Sequence, residues 1–411
     1  MRYVPSPTVL SMAVYGASGL AFVGANLLLA RALSTEQYAL LTLLVALITV
    51  GHHLAPMGLD AVVTRGRVDV GWPLLKRVAA VAAGVGVVVS ITSFLLYGLT
   101  AATAMWLLAG TVAGGVMLVA GARFQGQHRF LLSLALIMSQ NVVLLLGAVV
   151  VIAFGSRTAD LPFHILTMGL GLAAVLGWTL VLRERRQSGA RFAGIPWNEA
   201  LTLAGVSAAG MLFIQLERLV LPHVLTVADL ALFGVLGAIA GSVFRILQMA
   251  VGFTLLPRLR SAATVLERRA LIARELRFAL VIAAAGAVCV LAFTPLIERW
   301  FLAGKYHLPT ALLVAALFSG FAKIAHAFAR ATATAVATPR ELALVNGAGW
   351  VSLAVAVGAA ILAAPWGLTG VIYGVGLGWL AWAIAAFALV MHHLRLPTTV
   401  PVRGRVVDQK T

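Results

Sequence analysis

Apolar residues in this chain come in long unbroken runs, not in alternation with polar ones. Twelve such runs stand at roughly 8–30, 38–62, 78–99, 103–122, 130–154, 162–182, 200–222, 230–256, 277–297, 309–330, 341–363 and 367–392. Each is near twenty residues, the length that carries an α-helix across a hydrocarbon core of about 30 Å. Barrel strands would alternate apolar and polar over about ten residues. With no water in hydrocarbon, every backbone N–H and C=O must be paired internally, so continuous runs of this length predict helices. The pattern predicts an all-α polytopic membrane protein with about 12 transmembrane helices.

The polar positions between the runs alternate in charge. One set of loops carries Arg65, Arg67, Lys76 and Arg77, then Arg123 and Arg129, then Arg183, Arg185, Arg186 and Arg191. The same set continues with Arg258, Arg260, Arg268, Arg269, Arg274 and Arg277, then Arg330 and Arg340, and the tail adds Arg395, Arg403, Arg405 and Lys410. The opposite loops hold Arg31, Arg157, Arg299 and Lys305. Basic loops stay on the cytoplasmic side, so both termini and the 183–199 loop are expected in the cytoplasm.

Composition closes off the other classes. Of the 411 residues, 62% are hydrophobic and 10% charged, with mean hydropathy +1.02. A soluble domain is about half apolar and a quarter charged. The formal charge of +17 is spread over short loops, so no face for nucleic acid is expected. The single cysteine, Cys289, leaves no intrachain disulfide and no paired-thiol metal site. No cofactor and no metal are expected. Met1–Pro7 leads directly into a run too long for the core of a cleavable signal peptide.

The two halves look related. Leu33-Ser34-Thr35-Glu36-Gln37-Tyr38-Ala39-Leu40 resembles Leu225-Thr226-Val227-Ala228-Asp229-Leu230-Ala231-Leu232, a shift of 225 − 33 = 192 residues that sets His53 on Arg245 and Asn26 on Arg218. The 129–154 segment likewise resembles 340–365, with Gly147 matching Gly358. Six spans per half keep the orientation of the repeat, as in a parallel duplication. The expectation is two pseudo-symmetric six-helix bundles: 1–182, a basic linker 183–199, 200–392, and a tail 393–411. Gly370, Gly374 and Gly378, and Gly110 with Gly114, have the spacing that lets helix backbones approach closely.

Charges inside the runs are the candidate chemistry, because an ionisable group at mid-membrane costs about 2.5–3.5 kcal/mol on insertion scales. The seventh run carries Glu217 and Arg218, about 100° apart on a helix and toward its outer end. The eighth carries Ser242, Arg245 and Gln248 along one face, with Arg245 near mid-membrane. The tenth carries Lys323, His326 and Arg330 along one face, read as a water-filled path. The second carries His52 and His53, with His53, Pro56 and Asp60 expected on one face of a kinked helix. Tyr15, Ser18, Phe22 and Asn26 line a face of the first, and Ser133 and Gln140 lie on the fifth, all suited to interhelical hydrogen bonds. The embedded charges are mainly cationic, which points to an anionic ligand, and arginine's planar fork suits phosphate.

Several segments then fall into a known order. Ala30-Arg31-Ala32-Leu33-Ser34 through Tyr38 resembles the ARxLGxxxYG turn after the first helix of polysaccharide flippases. Gly58-Leu59-Asp60 with Arg65 resembles the stretch closing the second helix, and Gln215 through Leu221 is similar to the family's xxDxxxLG element. Pro257-Arg258-Leu259 and Pro365-Trp366-Gly367-Leu368-Thr369-Gly370 are similar to the end of the eighth helix and the entry to the last. Ser34 and Ala39 replace the usual glycines of the first turn, and Glu217 stands where aspartate is common. The resemblance covers nearly the whole chain. It is to the Wzx-type lipid-linked oligosaccharide flippases of the multidrug/oligosaccharidyl-lipid/polysaccharide exporter superfamily.

That resemblance implies alternating access between two lobes and a substrate of undecaprenyl-pyrophosphate-linked sugars in a bacterial inner membrane. Membrane lipids surround the protein, and a polysaccharide polymerase or glycosyltransferases are further partners. Arg245 and Lys323, with Arg218, Arg31 and His326, are the residues expected to line a cationic cavity. His53, Asp60 and Glu217 are the candidates for coupling or gating. No bond is made or broken, so these are ligands and not catalysts. The rival reading is a multidrug cation antiporter of the same superfamily, which needs a buried carboxylate in the first or seventh helix. A major-facilitator carrier is a weaker rival, since Gly58 through Arg67 only loosely echoes that family's loop. A membrane glycosyltransferase or ligase would need a sizeable outer loop, and the outer loops are short.

Overall fold

The computed structural model describes residues 7–66, 68–185, 194–262 and 264–395, apart from the side chains at some positions within the helices. Arg67, Arg186, Arg191, Arg403, Arg405 and Lys410 lie outside the described residues, and so do the side chains of Arg245 and Gln248.

The described elements are helical. They are α1 (Pro7–Ala32), α2 (Thr35–Leu54), α3 (Leu59–Thr64), α4 (Trp72–Tyr97), α5 (Ala101–Gly126), α6 (Phe130–Phe154) and α7 (Asp160–Arg185). Then follow α8 (Trp197–Val224), α9 (Val227–Ser261), α10 (Val265–Trp300), α11 (Thr310–Val336), α12 (Pro339–Ala363) and α13 (Gly367–Arg395), the last two joined by a 3-10 turn. Among the described residues ten stretches are long and apolar enough to cross a membrane by length and composition. One of these, Arg340–Met391, is α12 and α13 run together, and the described part of α9 contributes the shorter apolar stretch Val227–Ser242.

Two expectations are corrected. The 38–62 run is not one kinked span. Helix α2 stops at Leu54, the chain turns through Met57 (φ 47°) and Gly58 (φ 79°), and Asp60 opens the separate helix α3. Left-handed backbone at two successive residues cannot be helical, so His53, Pro56 and Asp60 do not share a face. The basic stretch after 257 is not a loop either. α9 runs on to Ser261, and α10 begins at Val265, where the Thr264 side chain accepts from the Glu267 N–H. Arg268, Arg269, Arg274 and Arg277 therefore stand on α10, and Arg258 meets Glu275 at 2.8 Å.

The repeated turn has a physical basis. Ser34 caps α2 by accepting from the Gln37 N–H. At the matched position Thr226 caps α9 through a reciprocal box with Asp229. Such caps satisfy otherwise orphaned backbone donors where each helix starts.

Packing divides by neighbours. α1 lies on α6, α5 on α4, α6, α7 and α2, and α11 on α9 and α13, with α12 against α13 and α8. Between the first seven helices and the last six, α2 packs on α8 and α9, α1 on α9, and α3 on α8. Glycines set two of the seams. A methyl on Gly374 would meet Ala359 carbonyl carbon of α12 at 2.7 Å, and one on Gly378 would meet Ala356 Cβ at 2.4 Å. On α5, Gly110 faces Ile48 and Gly114 faces His52, so α5 and α2 touch nearly backbone to backbone. Large apolar side chains such as Leu20, Leu95, Phe154 and Leu362 are exposed on the periphery, where lipid would solvate them.

Candidate functional site

The helices run between two ends. The arginine-poor end holds Arg31, Lys305 and Asp160, and the arginine-rich end holds Arg65, Arg129 and Glu199. Both are bridged between the first seven helices and the last six. At the arginine-poor end the Lys305 ammonium donates to the Ala30 carbonyl at 2.9 Å and to that of Leu33. Ala30 lies in the last turn of α1, whose carbonyls lack helical partners, and Leu33 follows that turn. Burial lowers the Lys305 pKa, and the Glu36 carboxylate partly restores it. Beside it the Tyr38 and Tyr306 rings sit 6.2 Å apart. Gly234 of α9 lies so near Thr42 of α2 that a methyl would come within 2.5 Å of its hydroxyl. Tyr97 of α4 donates its hydroxyl to the Leu219 carbonyl of α8 at 3.0 Å. At the arginine-rich end Arg65 meets Glu199 at 2.8 Å, and Gly58 is pressed against α8, where a Cβ would stand 1.9 Å from the Ala200 carbonyl oxygen.

Between these ends two small cavities meet at one arginine. Arg218 stands on α8 six residues before its end, about 9 Å by helical rise. It is only 7% exposed. Its Nη1 donates to Gln215 Oε1 at 2.7 Å, its guanidinium lies over the Phe233 ring at 5.9 Å, and its Nε has no partner among the described residues. The first cavity, about 80 Å³, is walled by α8, α9, α11 and α13, with Glu217, Arg218, Ser319 and Lys323 as its polar lining. The second, about 50 Å³, is walled by α1, α2, α6, α7 and α8, with Thr49, Gln140, Asn141, Gln215 and Arg218 as its polar lining.

Lys323 and Glu217 pair across the first cavity at 3.0 Å. Glu217 is 1% exposed, so the pair is neutral overall and Lys323 is occupied. Of the cations lining the two cavities, Arg218 has no carboxylate bond among the described residues. An ion buried with open hydrogen-bonding capacity is costly unless a ligand or water satisfies it. The Ser319 hydroxyl, also buried, has no partner among the described residues either.

The other sequence candidates separate. Arg31 is exposed at the end of α1 and lines neither cavity. The expected stripe on α11 is not one wet path. Lys323 faces the first cavity, whereas His326 is buried with its ring against Trp379 and Trp382 at 4.8 and 4.2 Å, and Arg330 is exposed. His53 is half-buried beside His52, with its Nδ1 2.8 Å from the Thr49 carbonyl oxygen. Asp60 is half-buried on α3. Arg245 belongs to α9, and its side chain lies outside the described ones. Gln215 was recoverable from its i, i+3 spacing to Arg218. Lys305 as a bridge had no signal, because its partners are backbone carbonyls far away in the chain.

No protein-family model matches this chain, and no curated protein does either. Solved structures match over nearly its whole length. An inward-facing multidrug resistance MATE family transporter of the MOP superfamily superposes with TM-score 0.63 at 14% identity, covering 93% of this chain and 98% of the other. The lipid II flippase MurJ in an inward closed conformation superposes with TM-score 0.66 at 12% identity, covering 93% and 87%. An outward-facing MATE transporter of the same superfamily gives TM-score 0.56 at 13% identity, covering 94% of each. At these identities the likeness establishes the fold: the chain is an all-helical membrane protein with the architecture of MOP-superfamily transporters and flippases.

Proposed function

We propose that this chain is an alternating-access flippase that moves an undecaprenyl-pyrophosphate-linked oligosaccharide across a bacterial cytoplasmic membrane. Its substrate would be a repeat unit of O-antigen, capsule or exopolysaccharide. In this reading the twelve long helices all span, residues 1–182 and 200–392 are the moving lobes, and both termini are cytoplasmic. A polymerase or glycosyltransferases would work beside it.

One observation carries the reading: the buried Arg218 has no carboxylate partner among the described residues and joins two cavities, the second of them walled by α1, α2, α6, α7 and α8. A guanidinium with unspent donors, buried where two cavities meet, is a receptor for an anion, and its fork matches phosphate. Arg245, deeper on α9, is proposed as a second ligand. The contacts between the halves at both ends are ones that rocking lobes must break and remake in turn. A second reading, cation antiport, has one observation in favour: Glu217 is a buried carboxylate on the seventh long helix. Lys323 already neutralises it, which leaves a net positive site and disfavours cations.

The test is translocation of lipid-linked oligosaccharide in proteoliposomes, with wild type beside Arg218→Gln and Arg245→Gln at equal protein level. Wild type is expected to move the lipid and each variant to lose at least about tenfold, the scale of one charge-assisted bond. A wild type that moves no lipid but exports cationic dyes against a sodium or proton gradient would replace this reading with the antiporter.

A further inference from the structure

We infer that the cavity between α2, α6 and α8 is a carbohydrate subsite that takes the sugar joined to the pyrophosphate, with Gln140 as its selectivity-determining residue. The inference rests on the flippase reading and names what lies beside its anion.

The chemistry of the lining separates this cavity from its neighbour. The first cavity is ionic, with Glu217, Lys323 and Arg218. The second shares only Arg218 and is otherwise lined by two carboxamides of α6, one of α8, a hydroxyl and apolar side chains. Its polar atoms are not used up within the protein. Gln140 makes no hydrogen bond among the described residues, and it is half-buried. Asn141 donates to the Ser18 hydroxyl at 2.8 Å, leaving its carbonyl oxygen free to accept. Gln215 accepts from Arg218, leaving its amide N–H groups free to donate. Thr49 gives its proton to the Val45 carbonyl at 2.6 Å, so its oxygen can still accept.

That set offers donors and acceptors side by side without net charge. Sugar hydroxyls are both donors and acceptors, and carboxamides are the side chains that answer both at once. A second phosphate would call for further cations, and a prenyl tail for an apolar wall. Phe22, Ile48 and Leu144 supply apolar surface for the C–H face of a pyranose. Arg218 is common to both cavities, so an anion held there places the attached sugar at the amides.

At about 50 Å³ the cavity has room for a few waters, which would occupy the hydroxyl positions. Its walls belong to both sides of the α2–α8 seam: Thr49 is on α2, Gln140 and Asn141 are on α6, and Gln215 is on α8. Separation of α8 from α2 widens it to admit a ring, and reclosure grips the ring.

The experiment measures equilibrium binding to the full chain in lipid nanodiscs. The probes are undecaprenyl pyrophosphate alone and the same lipid carrying one glucose, galactose or N-acetylglucosamine. Wild type should prefer at least one glycosylated probe over the bare lipid by about tenfold, the scale of one or two net hydrogen bonds. Gln140→Leu should erase that preference while binding the bare lipid as wild type does, which also shows that the variant is folded. Equal binding of all probes by wild type, or a preference that survives in Gln140→Leu, overturns the subsite while leaving the flippase reading intact. Failure of wild type to bind even the bare lipid overturns the flippase reading and the subsite with it.

Discussion

The Lys323 ammonium donates to the Glu217 carboxylate at 3.0 Å, across the wall between α11 and α8. The contact changes what each residue can do. A lysine already engaged by a buried carboxylate is a poor anion receptor, and a carboxylate already engaged by a lysine is a poor cation receptor. Removing one member strands the other charge, which costs about 3–5 kcal/mol. Lys323→Met should therefore lower unfolding stability by about that amount, measured by thermal unfolding in detergent. Lys323→Met with Glu217→Gln should recover most of the loss, because no charge is left unpaired.

Arg218 should behave in the opposite sense. Its buried Nε has no partner among the described residues, and a buried unsatisfied donor costs about 1–3 kcal/mol. Arg218→Leu combined with Gln215→Leu removes both the guanidinium and the acceptor it engages. This double variant should be at least as stable as wild type yet inactive in lipid translocation. Arg218→Lys should retain the charge but lose the fork, with transport reduced about tenfold. Equal activity of Arg218→Lys and wild type would remove the fork from the account.

The Lys305 bridge predicts a local effect. Hydrogen bonds to a charged group contribute about 1.5–3 kcal/mol, and two of them join the loop before α11 to the last turn of α1. Lys305→Met should speed backbone hydrogen exchange about tenfold or more in peptides covering 28–38 and 300–308. Exchange in 58–66, at the other end, should be unchanged.

The Arg65–Glu199 pair predicts little. The Arg65 side chain is 54% exposed, and exposed pairs contribute about 0–1 kcal/mol. Glu199→Gln should shift the unfolding midpoint hardly at all, and less still in high salt. A large shift would mean that this contact, not Gly58, governs docking of α8 at the arginine-rich end.

The helices were legible because a bilayer demands long apolar runs, and each of the twelve runs found from residue order overlaps one long helix. The break after Leu54 was not, because Pro56 reads as a kink until the left-handed backbone of Met57 and Gly58 is seen. The extension of α9 and α10 past the apolar runs was hidden for a related reason. Hydropathy reports where lipid ends and not where helix ends, and Thr264 capping marks the true start of α10. Within the site, the residue types were legible from their cost in hydrocarbon: Glu217, Arg218 and Lys323 all line the first cavity. Their pairing was not, since Glu217 and Lys323 are 106 residues apart and only packing brings them together. His326 shows the limit of a shared face: three residues along α11 from Lys323, it is turned far enough to meet the tryptophans of α13 instead.

The fit of Gly58 against Ala200 has a consequence for how the protein could be held still. A Cβ at position 58 would stand 1.9 Å from the Ala200 carbonyl oxygen, so the smallest side chain would act as a wedge at the arginine-rich end, while the opposite end keeps its own bridges. One added carbon would thus work as a doorstop, biasing the population toward molecules agape on one side without touching any residue that meets cargo. Such a propped form is the natural starting point for capturing the protein with substrate aboard.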